Sequence, residues 1–244
     1  MVKGLGMMVK RIRLSSVAAL LVPLFLAACS GGGEEPQLEL QLISAGRAAI
    51  AAQIAPKVTR PPLTRAALDT LEGSFVEVIL ERRNQLAYLH VGGQRRDGDP
   101  GLITIWRTDD NISLSMRNGV LIATRGLGGD ILSSTVQVAG DRPGPSGGGE
   151  KILYIRALEN KKQRLALVCD LVDLGPQTIE IVERRNATRH VQERCTGGRA
   201  ADGSGDVGEV INDYWVDSRT GLVLQSRQWA GPITGYLRLR RLTY

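Results

Sequence analysis

Histidine, aromatic residues and long apolar runs are all scarce in this 244-residue chain, and each scarcity removes a class of protein. The two histidines, His90 and His190, stand at ligand spacing from neither each other nor a cysteine, so no metal centre is written into the sequence and no cofactor is expected. Aromatics make up 4% of the chain, and most are expected in the core rather than on a sugar-stacking platform. No serine sits in a Gly-x-Ser-x-Gly elbow, which leaves nucleophilic hydrolysis without a visible basis. Gly126, Gly128 and Gly129 precede Asp130 with no Lys-Ser/Thr ending and no helix behind them, so they read as a tight turn rather than a phosphate loop. The longest apolar stretch, Val17 to Ala28, contains Pro23 and falls well short of the ~20 residues a membrane-crossing helix needs.

Acidic residues are missing from the start of the chain: none precedes Glu34, whereas Lys3, Lys10, Arg11 and Arg13 flank the apolar stretch. This is the pattern of a secretory leader. Leu26, Ala27, Ala28 and Cys29 form a lipobox, with two small residues ahead of a cysteine whose thiol can take a diacylglyceryl thioether. Residues 1–28 are therefore expected to be removed, leaving Cys29 as the lipidated residue and residues 29–37 as a tether. Ser30, three glycines, Glu34, Glu35 and Pro36 suit a polar spacer. Each buried methylene contributes about 0.8 kcal/mol, so two or three acyl chains hold a protein stably on a bilayer. Ser30 is not the aspartate that resembles an inner-membrane retention signal, which makes the periplasmic face of the outer membrane the expected site.

The formal net charge of +6 shrinks once the four leader cations are set aside, because 27 Lys and Arg then face 25 Asp and Glu. A nucleic-acid partner is not indicated, since the basic residues do not line one face. Arg82 and Arg83 sit beside Glu81, and Arg184 and Arg185 follow Glu183. Arg238, Arg240 and Arg241 form the one basic cluster suited to phosphates or lipid headgroups. Cys169 and Cys195 remain after Cys29 is assigned to lipid, and an oxidising compartment predicts a bridge between them.

Leu42, Ile43, Ala49, Ile50 and Ile54 recur at helical spacing within Leu38 to Ile54, and a shorter helix is predicted over Thr64 to Leu71. Beyond Gly73 the period becomes two, as in Ile112, Leu114 and Met116, or Leu165, Leu167, Cys169 and Leu171. Strand signals cover residues 75–80, 86–91, 102–106, 112–116, 120–124, 152–158, 164–171, 178–182, 189–195, 208–216, 222–229 and 236–242, punctuated by turn sequences such as Asn118-Gly119, Asn160-Lys161 and Asp217 to Gly221. The expected fold is mainly β: an antiparallel meander closing into one barrel-like domain over residues 38–244, with a short helical segment at the N-terminus of the mature chain. Helices do not alternate with strands, which disfavours a parallel doubly wound sheet.

One acidic grouping could serve glycan cleavage, namely Asp213 and Asp217 flanking Trp215, with Asp130 elsewhere. Two stretches carry a stronger pattern: Met116-Arg117-Asn118-Gly119-Val120 through Arg125-Gly126-Leu127-Gly128-Gly129-Asp130, and Asn212-Asp213-Tyr214-Trp215-Val216-Asp217 through Gly221 to Ser226-Arg227-Gln228-Trp229 and Gly231-Pro232. Together with the lipobox and the two late cysteines they resemble the YjbF/GfcB family of group 4 capsule and exopolysaccharide lipoproteins. The resemblance implies a lipid-anchored, barrel-like antiparallel β domain whose genes lie among those for secreting an exopolysaccharide or capsule. The role expected from that setting is a nonenzymatic accessory factor, with export proteins or the polysaccharide itself as partners. It carries over no catalytic residue. The Gly-rich segments Arg142 to Gly149 and Gly197 to Gly205 depart from the family pattern. Asn118-Gly119 is expected to turn, Gly126 and Gly129 to take positive φ, and Trp215 and Trp229 to plug the barrel from neighbouring strands. Ser226, Arg227 and Gln228 are candidate saccharide or partner contacts beside an aromatic. A lipid- or glycan-binding carrier, and a glycan-cleaving enzyme using Asp213 or Asp217 with another acid, are the alternative functions.

Overall fold

Twelve antiparallel strands form a single sheet in the computed structural model, which describes residues 63–140, 142–156, 161–197 and 207–244. The leader, the lipobox with Cys29, the tether, the helix expected over Leu38 to Ile54, Asn160 and most of the Gly197 to Gly205 segment lie outside the described residues. The strands are β1 Phe75–Leu80, β2 Gln85–Arg95, β3 Ile103–Arg107, β4 Ser113–Arg117, β5 Val120–Arg125, β6 Ile131–Ser134, β7 Gly149–Arg156, β8 Lys162–Ile181, β9 Arg184–Gly197, β10 Val210–Asp217, β11 Val223–Trp229 and β12 Tyr236–Arg241. Their order across the sheet is β5-β4-β3-β2-β1-β12-β11-β10-β9-β8-β7-β6, so two sequential meanders are joined by the pairing of β1 with β12.

Period-two patterning explains which side chains line the interior. On β8, Leu165, Leu167 and Cys169 are buried while Val168 is 63% exposed, and on β4 Leu114 and Met116 are buried between partly exposed serines. These positions join Val76, Val78, Leu89, Trp106, Leu237 and Leu239 in the main core. A second, smaller cluster forms where the helix α1, Arg65–Asp69, lays Leu68 against Ile179, Ile181, Leu224 and Leu242. Thr64 caps this helix by accepting from the Ala67 amide, and burial of Leu68 contributes about 1.5–3 kcal/mol.

The two ends of the sheet, β5 and β6, meet without a continuous ladder, and side chains close the seam. The Thr124 hydroxyl accepts from the Ile131 amide at 3.0 Å and reaches Asp130 Oδ1 at 3.0 Å. Gln228, buried on β11, supplies what β5 lacks on its open edge. Its Oε1 accepts from the Leu121 amide at 2.8 Å and its Nε2 donates to the Gly119 carbonyl at 2.9 Å. A buried amide left unbonded costs roughly 1–3 kcal/mol, so one glutamine does the work of a short stretch of ladder.

Three departures from the sequence reading have local causes. β6 was not expected, because Ile131-Leu132-Ser133-Ser134 is four residues long and bulges between Ile131 and Ser133. β8 runs unbroken through Gly175-Pro176, where the pattern suggested two strands. β7 pairs with β8 only as far as Cys169, so Pro176 occupies a free edge where its missing N–H costs no ladder bond, and the register shift between Asp173 and Gly175 absorbs the irregularity. The β8–β9 turn consists of Val182 and Glu183 at φ 43° and 62°, a left-handed conformation that β-branched valine rarely takes. Packing of Val182 against the second cluster and a 3.0 Å bond from the Arg65 amide to Glu183 Oε2 hold it there.

Candidate functional site

At the end of the barrel where β4 turns into β5, the interior opens as a cavity of about 330 Å³. Its apolar wall is built by inward residues of five strands: Val76, Trp106, Met116, Leu224 and Leu239. The alternation on β12 that buries Leu237 and Leu239 brings Arg241 to the next inward position. Its guanidinium lies over the Trp106 ring, 5.3 Å from the centroid, and its Nε is buried without a hydrogen-bond partner. Among the described residues no carboxylate forms an ion pair with it. Burial draws this guanidinium below its ordinary value, as desolvation of a cation does. Gln94, Arg96, Thr104 and Ser226 add polar groups to the lining.

The rim is fixed by the Asn118-Gly119 turn, with φ of 48° and 86°. Asn118 Oδ1 accepts from the Leu102 amide at 2.8 Å, and Nδ2 donates to the carbonyls of Gly140 and Arg142 at 2.8 and 2.9 Å. One side chain therefore ties the β2–β3 and β6–β7 connections to the mouth. A Cβ on Gly119 would stand 2.6 Å from Val223 Cγ2, so glycine is required there for close approach to β11 as well as for φ.

Behind the cavity lies a buried polar network. Lys151 Nζ and Glu193 Oε2 are 2.8 Å apart, with side chains 10% and 7% exposed. Glu193 Oε2 also accepts from Asn212 Nδ2 at 2.8 Å, and Asn212 Oδ1 accepts from the Trp229 amide at 2.7 Å. The Tyr214 hydroxyl stands 3.2 Å from Gln228 Oε1 and 3.5 Å from Glu193 Oε2. Burial first, and then the Glu193 charge, push its phenol well above the usual range, so it serves as a donor. Gln228 Nε2 donates to Ser226 Oγ at 2.9 Å and so links the network to the cavity wall. Cys169 and Cys195 face one another across β8 and β9 and are bridged as predicted. Their sulfurs and the Glu193 carboxylate fall within 4.8 Å of one another, but the bridge occupies both sulfurs and leaves a structural cluster.

The residues singled out in the sequence divide between cavity and scaffold. Asn118, Gly119 and Ser226 line the cavity. Arg117, 6% exposed, instead grips Asp97 through two nitrogens at 2.8 and 2.7 Å and reaches the carbonyls of Asp99 and Pro100. At the other end of the barrel, buried Asp130 accepts from Thr124 and from the amides of Gly126 and Leu127. Gly126 has the expected positive φ of 87°, but Gly129 does not; Gly128, at 86°, takes that role. Gly129 is needed for space, since a Cβ there would sit 2.4 Å from Ile233 Cβ. Pro232 accepts from Arg82 through its carbonyl, and Thr234 donates to the Gly129 carbonyl at 3.1 Å.

Three expectations are corrected by the alternation of β10 and β11. Trp215 and Trp229 do not plug the barrel: both are partly exposed, and Trp106 and Tyr214 fill the interior. Trp215 stacks on His190 with centroids 4.5 Å apart, while Trp229 packs against the main core from a partly exposed position. Ser226 and Gln228 are buried and bonded internally, and Arg227 stacks over Tyr236 at 3.6 Å and pairs with Glu81 at 2.8 Å, so the three do not form one surface contact. Asp213 and Asp217 do not converge. Asp213 bonds His190 and Gln192, whereas Asp217 is buried in the turn before Gly221, accepting from Arg219 and Thr220. Burial opposes ionisation of Asp217, but the bonds from Thr220 and Arg219 prevail and hold its carboxyl below the usual range. Four residues of strand put their backbones about 13 Å apart, and each carboxyl is taken up by its own partners, so the two are not poised across a common space as the acids of a glycoside hydrolase are.

The Arg117 clamp makes a testable titration. The hydrogen bond from Arg117, foremost, lowers the Asp97 carboxyl from 3.8 to about 2. A depressed carboxylate adds stability above its unfolded value and loses it as the pH falls through its folded one, so residues 95–101 should stay ordered at pH 4 and release towards pH 2. Carbon-detected NMR should place the Asp97 midpoint near 2, and Arg117→Met should raise it towards 3.8, with the Asp99 amide and Arg95 still holding it somewhat lower. A midpoint near 3.8 in the unaltered protein would discard the clamp.

Sequence reasoning missed Trp106 and Arg241 as partners. The signal was present in the alternation Leu237, Leu239, Arg241, which places an arginine where an apolar residue belongs. The basic tail thereby separates into three roles: Arg238 is exposed, Arg240 pairs with Glu77, and Arg241 turns inward.

The fold and site define a nearly closed antiparallel β-barrel with a cavity at one end. The chain belongs to the YjbF family, described as the group 4 capsule polysaccharide lipoprotein gfcB, YjbF, which its residues 46–242 match. The crystal structure of the hypothetical lipoprotein YmcC from Escherichia coli (K12) is similar, with a TM-score of 0.59 and 20% identity, over 83% of this chain and 95% of that one. At that identity the likeness is one of fold. No curated protein matches the chain.

Proposed function

We propose that this protein is an outer-membrane-anchored, periplasm-facing lipoprotein that assists production or export of a capsule or exopolysaccharide without cleaving the polymer. The observation that carries the reading is the family match over residues 46–242, joined to the lipobox that ends at Cys29. Separation of Asp213 from Asp217 supports a nonenzymatic role. The cavity of about 330 Å³ favours a second reading within the same setting, in which the barrel carries a glycan or lipid group.

Deleting the gene and complementing it with the wild type or Cys29→Ala tests the first reading. Deletion is expected to reduce secreted polysaccharide, and purified protein to leave polymer length unchanged. Cys29→Ala is expected to move the protein from the membrane to the soluble fraction, with loss of the acyl mass. Unchanged secretion after deletion would reject the accessory role, and an unacylated wild-type protein would reject the anchor.

A further inference from the structure

From the cavity at the Asn118 end, we infer a binding site for one uronate residue of an acidic polysaccharide, whose carboxylate pairs with Arg241 and whose ring lies against the wall containing Trp106 and Leu224. The inference rests on the polysaccharide reading for the sugar and on the site's own chemistry for the charge. Arginine keeps its positive charge at any physiological pH, and a guanidinium in an apolar wall is costly unless an anion meets it. Structural arginines in this protein meet that need: Arg117 has Asp97, Arg227 has Glu81 and Arg240 has Glu77. Arg241 is the inward arginine whose Nε is buried and unbonded, held over Trp106 at the edge of a cavity of about 330 Å³. Its planar fork matches a carboxylate in two-point geometry.

The rest of the lining suits a sugar ring. A pyranose has an apolar C–H face and a hydroxylated edge. Trp106, Met116 and Leu224 offer apolar surface, while Thr104, Gln94 and Ser226 offer hydroxyl and amide groups. Three hydrogen bonds of Asn118 hold the rim together, which reduces the order that binding has to impose.

Trigalacturonate is the probe, with three comparators: fully methyl-esterified trigalacturonate, which keeps the rings and removes the charge, maltotriose, and octanoate, which keeps a carboxylate on an alkyl chain. Titrations of the full folded domain are read by calorimetry and by the Trp106 indole N–H resonance, assigned with Trp106→Phe. Trigalacturonate is expected to bind and shift that resonance, the ester and maltotriose to bind at least about tenfold more weakly, and Arg241→Gln to lose about tenfold or more. Equal binding of the ester by the wild-type protein would overturn the site without any variant having to fold. Tighter binding of octanoate than of trigalacturonate would overturn it in favour of an acyl ligand, and no binding of trigalacturonate would overturn it outright. A deletion strain with normal secretion, beside Arg241-dependent uronate binding, would reject the accessory role and leave the site; the reverse pair would reject the site and leave the role.

Discussion

Glu193→Ala is expected to destabilise the barrel by about 3–5 kcal/mol, because it strands the Lys151 ammonium in an interior where its partner was 2.8 Å away. Asn212 loses an acceptor in the same step and adds to the cost. Replacing both ions, as in Lys151→Met with Glu193→Leu, removes the orphan charge along with the pair. The double variant is therefore expected to be more stable than the single one and to approach the wild type. Urea midpoints decide the matter, and for a domain of this size each kcal/mol corresponds to about 2–4 °C in Tm. If the double variant proved no better than Glu193→Ala, the cost would lie in lost packing or in Asn212, and the ion pair would not be what the site depends on.

Opening the Cys169–Cys195 bridge is the second large effect. The bridge spans 26 residues of sequence, and the chain-entropy estimate for such a loop is about 3.5 kcal/mol, or roughly 7–14 °C in Tm. Reduction alone should show this shift, since both sulfurs stay in place. Cys169→Ala with Cys195→Ala should cost more, because both side chains are buried in the main core and their removal leaves a void. Glu193 lies against the bridge, so combining Glu193→Ala with reduction should depart from additivity. Equal melting temperatures for oxidised and reduced protein would remove the bridge from the list of stabilising features.

Much of this fold was legible because its signals are local. Leu165, Leu167 and Cys169 announce an inward face by spacing alone, and Asn118-Gly119 is a pair whose backbone preference forces the β4–β5 hairpin. Where other residues decide the outcome, the sequence misled. Pro176 reads as a break, and only the absence of β7 beyond Cys169 makes it harmless. Val182 and Glu183 have no turn preference, and the packing that holds them comes from α1 and from Arg65, more than a hundred residues away. The same holds for the site. Ser226, Arg227 and Gln228 look like an exposed polar patch in a line of text. Gln228 in fact bonds Leu121 across 107 positions, and that partner has no local signature. Arg241 hid inside a basic run whose members differ only in which side of a strand they take.

The junction of β1 with β12 sets the order in which the molecule can assemble. Ten of its eleven neighbouring strand pairs join consecutive segments, and each hairpin can zip as soon as its second half is available. The remaining one unites positions as far apart as Glu77 and Arg240, 163 residues, so its loop must be closed before it returns any free energy. A chain emerging from its amino end therefore acquires two ribbons separately and becomes a container only when Tyr236–Arg241 arrives. Arg241 rides on that same strand, so the hollow and the charge inside it come into being together.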